Sequence, residues 1–285
     1  MPVLQWGLLF LLSLLLSLLF LCIHLPAALL LGPMITGILF SLRGISLKLP
    51  RCTFLGAQAI LGCMIAQNLS ASLLTTLAAN WVVVLAVLLV TLLSSTVVGW
   101  LLVRYSSLPG NTGAWGSSPG GAAAMVAMAQ DYGADIRLVA FMQYLRVLFV
   151  AGAAVLVTRF IMGESAEAVS QQFEWFPPLS GNLFTTLLLA AVASVVGRVL
   201  RIPSGTMLVP MLVGAVLHAS GVMVIELPEW LLAIAYMIIG WQIGLGFDKH
   251  VFFMALRPLP QILLSIFALL AICAAMAWGL AHYMQ

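Results

Sequence analysis

Long apolar runs separated by short polar breaks dominate the chain. They fall near residues 3–23, 25–42, 52–69, 80–103, 138–158, 183–200, 203–220, 230–247 and 259–281, with a weaker Gly- and Ala-rich stretch over 112–130. A helix of about 20 apolar residues spans a bilayer core, and roughly ten segments here approach that length. Only 159–182 is long and polar enough to act as a linker, with Glu164, Glu167, Glu174, Pro177 and Pro178. The pattern predicts an all-α polytopic membrane protein. Composition agrees, since 64% of residues are hydrophobic and 7% charged, outside the range of soluble globular domains. No Lys or Arg precedes the first run, and Cys22-Ile23-His24-Leu25-Pro26 offers no small-residue cleavage site. Residues 3–23 therefore read as a retained helix and not a signal peptide.

The pattern also repeats. Leu25-Pro26 through Pro33-Met34-Ile35-Thr36-Gly37 returns at a constant offset as Ile202-Pro203 through Pro210-Met211-Leu212-Val213-Gly214. At an offset one residue larger, Leu49-Pro50 matches Leu227-Pro228, Gly62 matches Gly240, Trp100 matches Trp278 and Tyr105 matches Tyr283. Leu matches mean little in so apolar a chain, whereas Pro, Gly, Trp and Tyr in register are informative. A duplicated helix block is the build of many secondary transporters. The chain divides into a first membrane repeat over 1–163, a polar linker over 164–182 and a second repeat over 183–285. Ser118-Pro119-Gly120-Gly121 has no counterpart before Gln285, so the second repeat reads as incomplete.

Basic residues choose the topology. If 112–130 crosses the whole membrane, Lys and Arg divide evenly between the two sides. If it enters and leaves by one side, Arg43, Lys48, Arg51, Arg104, Arg137, Arg198, Arg201, Lys249 and Arg257 all become cytoplasmic, and apart from mid-helix Arg146 only Arg159 does not. The positive-inside rule selects the second solution, which also turns one repeat upside down relative to the other. The expected fold is an inverted repeat of about five transmembrane helices each, with a Gly-rich broken or re-entrant helix.

That Gly-rich stretch, Pro109 to Gly121, holds five Gly and two Pro, a density that predicts no helix before Ser118. Ala122-Ala123-Ala124-Met125 onward is a good helix former, with Ser118 at its N-cap and Pro119 at its first position. A helix starting inside the membrane exposes unpaired N–H groups and a partial positive charge, a ready anion site. The alternative reading of Ser117, Ser118, Pro119, Gly120 and Gly121 is a turn packed among helices, with Gly allowing close approach. Arg146 lies within the apolar run from Leu138 to Thr158, with Gln143 and Tyr144 just before it. An ionisable residue there faces the bundle interior or a cavity and is a functional candidate, with Asp131 and Asp135 as its expected partners. Its structural alternative is bonding to helix-end carbonyls of a neighbouring helix. Pro33 and Pro210 predict kinks or local unwinding at matched positions.

Other chemistry lacks its parts. The net charge is +3 and the basic residues are scattered, which argues against direct nucleic-acid binding. Cys22, Cys52, Cys63 and Cys273 have no CxxC spacing, and His24, His218, His250 and His282 stand at segment ends, so no metal site or cofactor is expected. No HExxH, nucleophile elbow or Walker loop is present, and no enzyme activity is expected.

Gly116-Ser117-Ser118-Pro119-Gly120-Gly121, followed by Gln130-Asp131-Tyr132-Gly133-Ala134-Asp135-Ile136-Arg137 and Gln143-Tyr144-Leu145-Arg146, resembles the membrane AbrB family over the whole chain. That family shares only its name with the soluble DNA-binding AbrB regulators. The resemblance implies a multi-pass protein of the bacterial inner (plasma) membrane, related to elevator-type antiporters and anion transporters, usually with the SPGG motif in both repeats. Family labels include regulation of aidB expression and ammonia monooxygenase. Four scattered His do not suit a copper or iron site, and no soluble domain reaches DNA. Two functions remain: a transporter-like protein binding a small anionic solute at the Ser118 helix tip with Arg146 balancing charge, or a membrane regulator acting indirectly through a partner. Besides the lipid bilayer, the expected partners are such a solute and a homo-oligomer or regulatory membrane protein. A re-entrant 112–130 segment predicts that single cysteines placed at positions 107 and 135 react with an impermeant thiol reagent from the same face of the vesicle. Reaction from opposite faces would refute it.

Overall fold

The computed structural model describes residues 2–22, 25, 27–45, 47–69, 71–106, 108, 110–120, 125–126, 128–129, 132–162, 181–202, 204–247, 249, 253 and 256–283. Regular structure among them is helical: α1 (Pro2–Cys22), α2 (Ala28–Leu42), α3 (Arg51–Gln67), α4 (Ala71–Ala79), α5 (Trp81–Tyr105), α6 (Thr112–Ser117), α7 (Ile136–Met162), α8 (Gly181–Val199), α9 (Gly205–Ala219), α10 (Glu229–Gly244) and α11 (Leu259–Tyr283). Four stretches, Leu4–Cys22, Trp81–Tyr105, Gly181–Val199 and Leu259–Gly279, are long and apolar enough to cross a membrane. Leu15, Leu88, Val195 and Leu264 are among the large apolar side chains these helices leave exposed, which suits lipid and not water. The protein is an all-α polytopic membrane protein. The polar linker, 164–182, lies almost wholly outside the described residues.

Two features depart from the sequence pattern. Residues 71–79 form the short helix α4 before the α5 span, where no element was expected. Asn80 divides the two, its side-chain amide donating to Thr76 O at 3.1 Å while Val84 N donates to Asn80 O. A side chain that bonds the backbone locally competes with helix continuation there. The second departure is α6, a helix inside the Gly-rich stretch, whose cause lies in its packing (below).

The chain forms two compact units, each drawing on both halves of the sequence: Met1–Leu74 with Ala151–Asp248, and Thr75–Val150 with Lys249–Gln285. In the first, α2 packs on α1 and α10, and α9 packs on α3 and α8. Each helix of the pair α2 and α3 thus lies against a helix of the pair α9 and α10. Ala59, Cys63, Ala66, Ala190, Ile225, Leu227 and Leu232 form one buried cluster; Leu9, Phe40, Leu47 and Trp241 form another. Polar pairs fix the register inside this apolar packing: Thr206 Oγ1 donates to Gln58 Oε1 at 2.7 Å, and Trp241 Nε1 donates to Ser13 Oγ at 2.8 Å. Buried hydroxyl and amide groups need such partners in lipid-like surroundings.

Positions paired by the sequence offset behave alike. Ala27 and Ser204, just before α2 and α9, both take the left-handed conformation, with φ of 55° and 51°. Pro33 and Pro210 sit within continuous helices, so neither unwinds its helix. Gly62 faces the carbonyl oxygen of Met207, and Gly240 faces that of Leu30; a methyl group on either would strike that oxygen. These two contacts are reciprocal between the pairs, and both demand glycine because backbone meets backbone with no room for Cβ.

In the second unit α5 packs on α6 and α11. Phe149 on α7 meets Phe267 on α11 edge to face at 5.3 Å between ring centroids. Gly62→Ala and Gly240→Ala are each expected to cost about 1–3 kcal/mol through overpacking. Gly56→Ala, at a helical position with open space around it, should be neutral or stabilising by up to about 1 kcal/mol. Thermal unfolding of the three variants in detergent checks this, and equal melting of all three would refute the close-approach role.

Candidate functional site

The Gly-rich stretch folds back on itself. α6 runs from Thr112 to Ser117, and Ser118 then turns extended, with φ −59° and ψ 132°. Residues 125–126 and 128–129 are helical again, and Tyr132 to Ala134 turn toward α7. The two ends of the stretch meet: Asp135 N donates to Thr112 Oγ1 at 3.2 Å, and Trp115 stacks on Tyr132 with centroids 5.2 Å apart. The two ends of the segment are therefore neighbours, with the Ser118-Pro119 turn between them.

Helix survives among these glycines because close packing outweighs intrinsic preference. Gly99 of α5 lies where a methyl group would collide with Ser117 Oγ, and Gly116 lies equally tight against Met142 of α7. Hydroxyls reinforce the short helix: Ser117 Oγ donates to Gly113 O at 2.9 Å, and Ser118 Oγ donates to Ala114 O at 2.7 Å. The sequence places Ser118 at the start of the following helix. In the structure it closes the preceding one, its hydroxyl back-bonded to a carbonyl one turn earlier, and residues 121–124, where the following helix would start, lie outside the described residues. Gly120 lies in the bend after Pro119, and Gly121 lies outside the described residues.

A six-residue helix leaves its last carbonyls unpaired unless something else reaches them. Arg146 and Gln143 do so from α7. Arg146 Nη1 donates to Ser117 O at 3.2 Å and Ser118 O at 3.0 Å, and Nη2 donates to Gln143 Oε1 at 2.6 Å. Gln143 Nε2 in turn donates to Trp115 O at 2.9 Å and Ser118 O at 3.1 Å. Gln143 is 0% exposed, and both its amide protons and its oxygen are committed. The two residues share a helix face by their three-residue spacing. Side chains on a helix lean toward its N-terminus, so the guanidinium sits near the level of Gln143. That level lies roughly 10 Å into α7, matching the roughly 9 Å length of α6 at 1.5 Å per residue.

Arg146 therefore takes the arrangement its structural alternative anticipated, bonding to helix-end carbonyls. Asp135 is engaged elsewhere: its Oδ1 accepts from Arg137 N at 3.0 Å and Leu138 N at 3.4 Å, capping α7. An Asp immediately before a long apolar run was a readable helix-start signal that the pairing with Arg146 overlooked. Asp131 lies outside the described residues.

The guanidinium is not exhausted. Three of its five N–H groups are used among the described residues, and Arg146 lines a cavity of about 190 Å³ with Ser117, Pro119, Thr91, Ser95 and Cys273. Apolar Val150, Ile266, Leu269 and Leu270 complete its walls. The Thr91 and Ser95 hydroxyls donate to Val87 O and Leu92 O of their own helix, so in this arrangement they present lone pairs to the cavity. Among the described residues, Arg146 is the only cation on the lining. Sequence reasoning singled out Ser117, Pro119 and Arg146 here but missed Thr91, Ser95 and Cys273, which sit in ordinary apolar runs. Among the described residues no three of His, Cys, Asp and Glu come together as a metal-binding group.

A family model described as "Transition state regulatory protein AbrB" matches residues 29–285. The chain is 77% identical over 285 residues to "Putative regulator AbrB" of Escherichia coli (strain K12), an alignment that takes in 100% of this chain and 82% of that protein. It is 29% identical over 210 residues to "Uncharacterized protein YhjN" of Bacillus subtilis (strain 168), taking in 68% of this chain and 54% of that protein. No solved structure matches. With the family model spanning nearly the whole chain, the protein belongs to the AbrB family.

Proposed function

We propose that the chain is a secondary-transporter-like protein of the bacterial inner membrane that binds a small anionic solute beside Arg146. One observation carries the reading: a guanidinium with only three of its five N–H groups used among the described residues lines a small cavity, with Thr91, Ser95 and Ser117 hydroxyls and otherwise apolar walls, next to a helix break. A cation at membrane depth is costly, and such residues face interiors where ions or solutes pass. Broken backbone at that depth is tolerated where protein buries it or where it lines a cavity. The cavity suits a solute of a few heavy atoms. Charge on Arg146 supplies attraction for an anion, and the apolar walls strengthen it by lowering the local dielectric.

An inverted repeat is part of this proposal. Its support is the matched behaviour of Ala27 and Ser204, the reciprocal contacts of Gly62 and Gly240, and the meeting of Thr112 with Asp135 at the two ends of the re-entrant stretch. We assign the chain no catalytic step. A second reading rests on the word "regulator" in the name of the Escherichia coli relative. On that reading the protein would affect gene expression through a membrane partner or a homo-oligomer, without touching DNA.

Proteoliposomes holding the purified chain, assayed for uptake of radiolabelled acetate, phosphate and sulfate, separate the two. Transport predicts saturable uptake of at least one anion, abolished by Arg146→Gln in protein that still elutes as a folded species. Arg146→Lys keeps the charge but not the planar fork, so it should be less stable by about 1.5–3 kcal/mol while retaining part of the uptake. Uptake by Arg146→Gln equal to the starting protein would overturn the anion role. No uptake of any anion, with a protein co-purifying stoichiometrically, would favour regulation.

A further inference from the structure

A second recess lies in the same compact unit, away from Arg146. It runs between α5 and α11, has a volume of about 300 Å³, and is walled by Val98, Leu101, Leu102, Leu264, Ser265 and Ala268. Tyr105, Ser106 and Gln261 close one end. Gln261 Nε2 reaches Tyr105 O at 3.5 Å, which puts the start of α11 beside the finish of α5. The recess is therefore graded along its length. One end is polar and coincides with helix termini; the other lies about 12 Å deeper, at 1.5 Å per residue from Ser106 to Val98, and is lined by Val98 and Ala268, while the Ser265 hydroxyl between the two ends is spent on Ile262 O of its own helix.

Positive charge gathers at the polar end. Arg104 is exposed on the last turn of α5, its guanidinium carbon 5.7 Å from the Trp100 ring centroid and 5.9 Å from that of Tyr105. Arg257, also exposed, stands two residues before α11 begins. Trp, Tyr and Arg at the end of an apolar span mark the headgroup level of a bilayer. Both arginines belong to the set that the charge distribution assigns to the cytoplasmic side, where anionic lipids supply a negative surface. Leu101 and Leu264 on the walls are exposed by 41% and 71%, so the recess opens sideways from two membrane-spanning helices.

We propose that this recess is a binding site for one anionic glycerophospholipid, with an acyl chain between α5 and α11 and its phosphate at Arg104 and Arg257. The largely apolar walls match hydrocarbon, the polar end matches the glycerol esters, and the two arginines flanking the helix termini there supply charge for the phosphate. A soluble anion lacks the hydrocarbon that fills the deep end. A zwitterionic lipid lacks the net charge that the two arginines select. The site stands independently of solute binding at Arg146.

The test uses the full chain in nanodiscs made from equal parts phosphatidylglycerol and phosphatidylcholine, followed by mild detergent extraction and native mass spectrometry. The expected result is phosphatidylglycerol retained in preference to phosphatidylcholine. The double variant Arg104→Gln, Arg257→Gln should reduce that preference roughly thirtyfold, as two surface charges are worth. Ala268→Trp, or Leu101→Phe where the first fails to fold, should displace the lipid while the arginines remain. Equal retention of the two lipids, or retention unchanged by filling the recess in folded protein, overturns the proposal. Efficient cross-linking of two copies through cysteines placed at position 264 would also overturn it, because a second chain would then occupy the recess.

Discussion

A backbone interrupted inside an apolar medium must have its carbonyls answered by side chains, and the second unit is arranged around that need. Turning the chain at Ser118-Pro119 strips the end of α6 of the partners a longer helix would supply. Water is excluded as a general solution at this depth, so the donors have to come from a neighbouring helix. Arg146 and Gln143 supply five hydrogen bonds, four of them to Trp115, Ser117 and Ser118 carbonyls and one joining the donors to each other. Only a planar, multiply protonated group on a long stem can reach two carbonyls and a side-chain amide together. The glycines follow from the same need. Gly99 and Gly116 let α5 and α7 approach α6 closely enough for those donors to arrive.

Much of this was legible before any coordinates, though not with the right grammar. Arg146 and Gln143 stood out because a charge and an amide inside an apolar run are expensive and require a reason. Their neighbours in space could not be read from their neighbours in sequence. Asp131 and Asp135 are the nearest acidic residues and so the expected partners; Asp131 lies outside the described residues, whereas Asp135 caps α7 and the acceptors seen among the described residues are uncharged carbonyls. No sequence marks a carbonyl as available, because every residue carries one. The helicity of Thr112 to Ser117 was hidden for a related reason. Glycine weighs against a helix locally, and only the partners across α5 and α7 reveal that its small size is what the packing selects. α4 escaped because nine residues with mixed Ser, Thr and Leu have too little period to separate from the span that follows.

The first unit shows the opposite balance. Its pairing of α2 with α10 and α3 with α9 joins residues far apart in sequence, yet the offset matches had already named the critical positions. Pro33, Pro210, Gly62 and Gly240 are conspicuous in an apolar chain because alternatives are plentiful and each of these carries a specific backbone property. Gly62 and Gly240 prove to be points where a helix meets the carbonyl of another helix, which explains why a duplicated sequence would match at those sites and drift elsewhere. Ala27 and Ser204 were invisible by the same test. Both are left-handed without being glycine, and nothing in their side chains announces it.

If an anion enters the cavity beside Arg146, its effect on the break follows from the hydrogen-bond count. The guanidinium carries one positive charge, and carbonyl dipoles offset only part of it, so an anion gains more from that charge than Ser117 O or Ser118 O does. The anion and the two carbonyls draw on the same five N–H groups. Recruiting Nη1 toward the cavity lengthens the bonds that hold the end of α6, while binding through the N–H groups that the described residues leave unused keeps them intact. In the first case occupancy loosens the helix break; in the second it rigidifies it. Either outcome makes the solute's affinity depend on the state of the break, since linkage between two equilibria at one group runs in both directions. Gln143 sets the threshold between them. It holds Ser118 O independently of Arg146, so the turn keeps one donor when the guanidinium shifts. A single arginine can thereby serve as both strut and ligand, and the buried amide beside it lets the second role proceed without collapse of the first.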